Sequence, residues 1–329
     1  MPAPAAPIPA NPGDARRWRI GLLGYGEVGR ILAEDLRAQG IAVSTYDRQL
    51  HHPRTEAQAQ AMRLHADAQG VALMDSAPAL AADCDCLISA VTASQTQAAI
   101  EAAAPGLRPG AWVLDLNSAS PGAKQAAAAI AHARGGRYVE AAVMSSVPPQ
   151  RLRVPMLLGG PDAAELAALL APLGFACQAI SAQLGVASAT KMCRSVLIKG
   201  LEALCIESLS AARHFGVEDA VLASLQDTFP GVDWQAQASY FFQRVIAHGQ
   251  RRSEEMQESA RTVAEAGLAT GMAQAAAQAQ GWLAQQAAAG VFGAPDAPGF
   301  ARSADWRTEA DRLLAALEQP AHPAPNPAP

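Results

Sequence analysis

Charge of one sign is not in surplus in this sequence. Twenty-five Lys and Arg stand against 30 Asp and Glu, a formal net charge of -5. No basic face is expected from that balance, which disfavours nucleic acid as a partner. Long hydrophobic runs are missing too: apolar stretches break well before the ~20 residues that span a bilayer, so no membrane partner is expected. The N-terminal MPAPAAPIPANPGD lacks a basic start and an apolar signal core, and a cytoplasmic location is the expectation. Cysteine is sparse and odd in number, five in all. Cys84, Cys86, Cys193 and Cys205 have no C-x-x-C or His companions, which argues against a disulfide framework or a metal site and for reduced, buried thiols.

What the chain does have is apolar mass, half of its 329 residues, enough for more than one core and for two domains. The stretch from Trp18 to Gly29 reads WRIGLLGYGEVG. Ile20 to Leu23 predicts a strand, Gly24, Gly26 and Gly29 have G-x-G-x-x-G spacing, and Val28, Ile31, Leu32 and Leu36 continue at helical period. Strand, turn and helix in that order make a dinucleotide-binding fingerprint. Gly24 permits the tight turn, Gly26 lets the backbone approach a pyrophosphate, and Gly29 lets the helix lie close on the strand. Tyr25, Glu27 and Val28 complete the loop and the helix N-terminus, whose amides and partial positive charge suit phosphate.

The next apolar run, Ile41 to Tyr46, ends in Asp47, near the ~20-residue offset at which an acidic group meets the adenosine ribose. A carboxylate accepts both ribose hydroxyls and repels a 2′-phosphate, so NAD is the expected cofactor; Arg48 beside it keeps NADP as the second candidate. Val71 to Leu73, Cys86 to Val91, Ala111 to Leu116, Arg137 to Val143, Val154 to Leu158 and Gly174 to Ile180 predict further strands. Helices are expected over Pro53 to Ala68, Gln95 to Ala103, from Pro121, and over Asp162 to Leu170. Such alternation specifies an α/β, doubly wound, mostly parallel sheet, here over 17–181.

Beyond 182 strand patterns stop, and Ala-, Gln-, Glu- and Leu-rich helical spacing runs to 318. An all-helical C-terminal domain is expected, opening on a long helix from Leu184 to His214 in which Gly200 predicts close packing. The alanines of Ser253 to Ala289 fit either tight helix contacts or simple helix propensity. Residues 1–16 and 319–329, rich in Pro and Ala, are expected to be disordered tails.

Ligands of open parallel sheets bind beyond the carboxyl ends of the strands. Thr92 follows the fourth apolar run; Asn117, Ser118 and Ser120 follow the fifth; Ser145 and Ser146 follow the sixth. Thr92 and Ser120 also suit helix N-caps, whereas Ser118 and Ser145 sit where substrate would meet nicotinamide. Thr92 and Asn117 are therefore candidates for the cofactor.

The succession of GYGEVG, DLNSASP, EAAVMSSVP, LLGGPD and GVASATK resembles the β-hydroxyacid dehydrogenases, which include the 6-phosphogluconate and 3-hydroxyisobutyrate dehydrogenases. The likeness covers residues 18 to about 200. It implies a Rossmann domain, a homodimer, a small hydroxy-acid substrate and a catalytic lysine six residues after a glycine, at Lys191 after Gly185. Lysine can take the hydroxyl proton when neutral and stabilise the alkoxide when protonated. Ser118 and the backbone of Ser145 and Ser146, with Arg194, are the implied grip on a substrate carboxylate. Arg194 and Ser195 stand where the family has two asparagines, so the pocket departs from its pattern. Lys191, Ser195 and Lys199 are spaced i, i+4, i+8 and predict a cationic, hydrogen-bonding stripe that lowers the proton affinity of Lys191. His248, Arg251 and Arg252 form a second basic cluster; in the resembled family such residues reach substrate in a partner subunit. KMCRSVLIKGLEAL and HGQRRSEEMQE resemble a subgroup of oxidoreductases whose helical domain has no assigned substrate.

Three functional readings follow. The first is an NAD(P)-dependent dehydrogenase or reductase of small 2- or 3-hydroxy acids with Lys191 as general acid/base. The second is an imine reductase on the same fold. The third is a nucleotide-sensing binding protein without turnover.

Overall fold

The computed structural model describes residues 13–51, 56–294, 297 and 300–318. The tails expected over 1–12 and 319–329 lie outside the described residues, as do positions 53–55 of the helix expected from Pro53. Within the expected N-terminal tail, Ala15–Arg17 forms a 3₁₀ turn capped by Asp14, and Ala15 is buried. The chain divides into two compact units, Met1–Cys193 and Arg194–Pro329.

In the first unit β1 (Arg19–Leu23), β2 (Ala42–Tyr46), β3 (Ala72–Leu73), β4 (Cys86–Ser89), β5 (Trp112–Asp115), β6 (Arg137–Val143), β7 (Met156–Gly159) and β8 (Cys177–Ser181) form an eight-stranded sheet among the described residues, in the order β3-β2-β1-β4-β5-β6-β7-β8. Its central strands β1, β4, β5 and β6 are buried on both faces, which is why they read as near-continuous apolar runs, whereas the edge strands β3 and β8 are more exposed. Cys86 and Ile88 of β4 and Trp112 and Leu114 of β5 enter one core, while Leu87 and Val113 between them enter the other. Neighbouring strands are parallel except β6 and β7, which pair antiparallel. The reason is the short 144–155 connection, which holds a one-turn helix and a 3₁₀ turn where a parallel return needs a full crossover.

The helices of this unit are α1 (Glu27–Ala38), α2 (Arg48–His51), α3 (Glu56–Gln69), α4 (Ala77–Asp83), α5 (Thr96–Ala103), α6 (Pro121–His132), α7 (Val147–Gln150) and α8 (Ala163–Leu170). α4 was not expected from periodicity. It is short, but its signals are present: Ser76 Oγ accepts from the amide of Ala79, and Pro78 stands in its first turn. α9 (Val186–Phe215) begins in this unit and continues into the second.

The second unit holds the rest of α9 with α10 (Glu218–Thr228), α11 (Trp234–Glu265), α12 (Gly271–Ala288) and α13 (Trp306–Glu318). Phe242 and Trp306 stack with ring centroids 5.7 Å apart in a core with Ile206, Leu209, Leu283 and Leu313. Ala260, Ala273, Ala276 and Ala277 pack around Met256, so these alanines serve close helix contact. Among the described residues of the chain Gly200 packs against no other helix, because a Cβ there would meet nothing within 4 Å. Close approach falls instead on Gly249, where a Cβ would lie 2.8 Å from the carbonyl of Gln280. Among the described residues no helix is long and apolar enough to cross a membrane.

Candidate functional site

The glycine loop joins β1 to α1. Gly24 has φ +101° and packs its Cα against Ala90, where a Cβ would lie 2.6 Å from the Ala90 carbonyl. Gly29 of α1 lies on the Gly24 carbonyl with no room for a side chain. Gly26 differs: a Cβ there would meet nothing within 4 Å, and it caps α1 without a side-chain hydrogen bond. The helix N-terminus at Glu27 and Val28 thus opens onto clear space with its first-turn amides uncapped by side chains, which fits a pyrophosphate.

Tyr25 contributes backbone to this loop. Its amide donates to Asp47 Oδ2 at 2.7 Å, while Asp47 Oδ1 accepts from the amide of Gln49 at 2.8 Å. Each carboxylate oxygen has lone-pair capacity left for a ribose hydroxyl. The Tyr25 ring is buried, and burial pushes its phenol up to about 12. Its hydroxyl meets His65 Nδ1 at 2.9 Å, and His65 Nε2 meets Glu34 Oε1 at 2.9 Å. A carboxylate only accepts, so the neutral ring carries its proton on Nε2 and accepts the Tyr25 hydroxyl at Nδ1. The hydrogen bonds from His65 and Arg151 hold the Glu34 carboxyl below its usual range. Arg48 opens α2 and is exposed.

At the ends of β4 and β5 the polar residues divide into structural and available groups. Asn117 is buried, its Nδ2 donating to Ser89 Oγ at 2.9 Å and its Oδ1 accepting from the amide of Val91 at 2.7 Å. It staples the two strand ends, so both ends of its side-chain amide are engaged within the protein. Thr92 is exposed and its hydroxyl makes no capping bond. Ser120 caps α6, accepting from Ala123 at 3.3 Å. Ser118, between Asn117 and Ser120, accepts a hydrogen bond from Lys191 Nζ at 2.6 Å. Both residues are half-buried. On the sixth strand's loop, Ser145 is exposed and donates to Gln150 at 2.8 Å, and Ser146 precedes α7 without making a side-chain cap.

Other expected site residues fall in the second unit. Arg194 is exposed and Ser195 is buried. Lys199 departs from the expected free cationic stripe: it is buried, and its Nζ lies 2.5 Å from Glu255 and 3.5 Å from Ser195 Oγ. Burial pushes its ammonium below the usual value, and Glu255 opposes that shift. The second basic cluster also separates. Arg252 is buried and grips Glu202 with both arms of its fork. Arg251 is exposed and lies 3.4 Å from Glu255. His248 sits where α11 breaks helical geometry, at φ -136°.

Sequence reasoning passed over Glu140, Lys124 and Tyr138 as site residues. Lys124 Nζ lies 2.9 Å from Asp115 Oδ1, and Tyr138 donates to Asp115 Oδ2 at 2.6 Å, all three being buried. Their signal was present: an acid inside each of two apolar strands has to find partners.

A model described as the NAD binding domain of 6-phosphogluconate dehydrogenase matches residues 19–177. A second, a domain of unknown function named DUF1932, matches 212–283. A conserved hypothetical protein from Sinorhizobium meliloti 1021 is 36% identical with a TM-score of 0.69, over 90% of this chain and 96% of that one. A conserved protein described as structurally similar to 3-hydroxyacid dehydrogenases is 30% identical with a TM-score of 0.63, over 82% of this chain and 98% of that one. A 3-hydroxyisobutyrate dehydrogenase from Mycobacterium tuberculosis shares the fold at a TM-score of 0.65 and 19% identity, over 90% and 99% of the two chains. The sheet and the matched domain are those of the Rossmann NAD(P)-binding oxidoreductases. The chain belongs to the 6-phosphogluconate dehydrogenase-like superfamily, with a DUF1932 helical domain.

Proposed function

We propose that this protein transfers a hydride between NAD and a small 2- or 3-hydroxy acid and its oxo partner, with Lys191 as general acid/base. The observation that carries the reading is the 2.6 Å hydrogen bond from Lys191 Nζ to Ser118 Oγ, just beyond the carboxyl end of β5, where this class of sheet binds ligands. Nicotinamide supplies a hydride acceptor or donor at its C4. The remaining work falls to the chain. Gly26 and the start of α1 take the pyrophosphate, and Asp47 takes the ribose hydroxyls. Lys191 accepts the substrate hydroxyl proton during oxidation and returns it during reduction. Ser118 holds the amine within reach of the substrate oxygen. Arg194 is the group proposed to hold a carboxylate, because its planar fork matches that shape and its side chain is exposed.

Asp47 favours NAD over NADP by repelling a 2′-phosphate. The partner in solution is a second copy of the chain. Leu197, Leu201 and Leu204 are exposed along α9 with Ile198 beside them, and an apolar stripe of that kind supports a homodimer.

The test is thermal stabilisation by NADH against NADPH, followed by turnover of small hydroxy acids by wild type and Lys191→Ala. Stabilisation by NADH with turnover that collapses in the variant supports the reading. Turnover of cyclic imines in place of hydroxy acids would move the protein to imine reduction, and binding without any turnover would make it a nucleotide sensor.

A further inference from the structure

Glu140 is fully buried in the middle of β6, and its Oε1 accepts from two backbone amides, Gly185 at 2.7 Å and Ala187 at 3.0 Å. Those amides are the N-terminus of α9, whose second turn carries Lys191. The fold makes room for the carboxylate: opposite Glu140 on β7 stands Gly159, where a Cβ would lie 2.5 Å from Oε1. Gly185 turns the chain into α9 with φ +100°. Glu140 Oε2 is buried and has no hydrogen-bond partner among the described residues.

The strand neighbour of Glu140 is Asp115, its partner in the parallel β5–β6 register. Asp115 is fully buried as well. It accepts from the amide of Asn117 at 2.9 Å and is held by Lys124 and Tyr138. Through Asn117 it fixes the loop that carries Ser118. Two adjacent buried carboxylates thus each anchor one half of the Lys191–Ser118 pair. Asp115 has Lys124 as counter-ion; the negative charge of Glu140 is met by the helix terminus. Helical side chains lean toward the N-terminus, so the Lys191 amine leans toward the Glu140 end of α9.

We propose that Glu140 is a positioning residue for Lys191. Its carboxylate sets where α9 starts and holds the amine against Ser118, and its charge offsets the positive end of the helix that would otherwise disfavour the ammonium. This rests on the reading of Lys191 as the proton-transfer group.

The chain supplies a direct probe. It has three lysines, 124, 191 and 199; Lys124 and Lys199 are buried in ion pairs, so brief acetylation of the full chain reads Lys191 by peptide mass spectrometry. Glu140→Gln keeps an acceptor for the two amides and removes the charge. Its Lys191 should acetylate about threefold faster at pH 8, with NADH stabilisation and melting temperature near wild type. Glu140→Asp keeps the charge but is too short to reach both amides. Gly159→Ala pushes the carboxylate off them with charge intact. Both should make Lys191 labelling insensitive to Ser118→Ala, which in wild type changes it. Should Glu140→Gln fail to fold, Gly159→Ala decides the question alone. Lys191 profiles that overlay wild type in Glu140→Gln, or in Gly159→Ala, overturn the proposal. Undiminished turnover in Lys191→Ala would instead overturn the functional reading.

Discussion

Lys191 Nζ and Ser118 Oγ meet at 2.6 Å although they lie 73 positions apart in the chain. One comes from the second turn of a helix and the other from the loop after a buried strand. Removing the amine should lower turnover on the order of 100- to 10,000-fold, the usual contribution of a positioned acid/base, with NADH stabilisation unchanged. Ser118→Ala should give a smaller loss. Steady-state kinetics alongside thermal shift separates the two effects, and a Lys191→Ala enzyme as active as wild type would exclude the mechanism.

Asp47 has a structural task besides its proposed cofactor role, since each oxygen holds one backbone amide. Asp47→Ala should therefore weaken NADH binding and also cost about 1–3 kcal/mol of stability through two amides left unpaired. Asp47→Asn, which keeps an acceptor, should recover most of the stability while narrowing the preference for NADH over NADPH. Urea unfolding of the apoprotein and titration with both nucleotides test the two parts; an unchanged NADH to NADPH ratio would remove Asp47 from cofactor choice.

Glu34 accepts from His65 and from Arg151, which hold its carboxyl below the ordinary value of 4.5. A carboxyl depressed in the folded state stabilises above its unfolded pKa, and the contribution fades as pH falls through the folded value. Wild type should accordingly lose stability below about pH 4.5 in a step that Glu34→Gln lacks. The partial exposure of the pair keeps the step small. Urea midpoints from pH 7 to pH 3 measure it, and parallel curves for the two proteins would refute the assignment.

Two glycines of the helical unit should respond in opposite directions to alanine. At Gly200 the added methyl meets nothing within the chain, so Gly200→Ala should stabilise the dissociated monomer by about 0.5–1 kcal/mol through helix propensity. At Gly249 it would lie 2.8 Å from the Gln280 carbonyl and 3.1 Å from Ala284 Cβ, so Gly249→Ala should destabilise by about 1–3 kcal/mol through overpacking. Chemical denaturation gives both signs directly.

Arg252 and Glu202 form a buried ion pair in the same unit. Glu202→Ala should cost about 3–5 kcal/mol, because it strands a buried guanidinium, whereas replacing both by apolar residues should cost much less. A double-mutant cycle in urea reads the difference.

The sequence by itself determined the sheet and the cofactor loop. Apolar runs matched β1 to β8 within a few residues, and Gly24, Gly26 and Gly29 carried their geometry locally, because φ, burial and helix start depend on near neighbours. It also located the long helix and placed Lys191 on it. Only the tertiary structure decided which polar groups were already engaged. Arg252 and Lys199 look like free cations in a sequence, yet Glu202 and Glu255, 50 and 56 positions away along the chain, neutralise them. Gly200 looked like a packing site, and the contact fell on Gly249. Glu140 heads the EAAVMSSVP motif in the sequence, but only the fold brings the amides of α9 onto its carboxylate. Pairings of this kind depend on which surfaces meet after the chain folds, and side-chain spacing along one element carries no information about the partner that faces it.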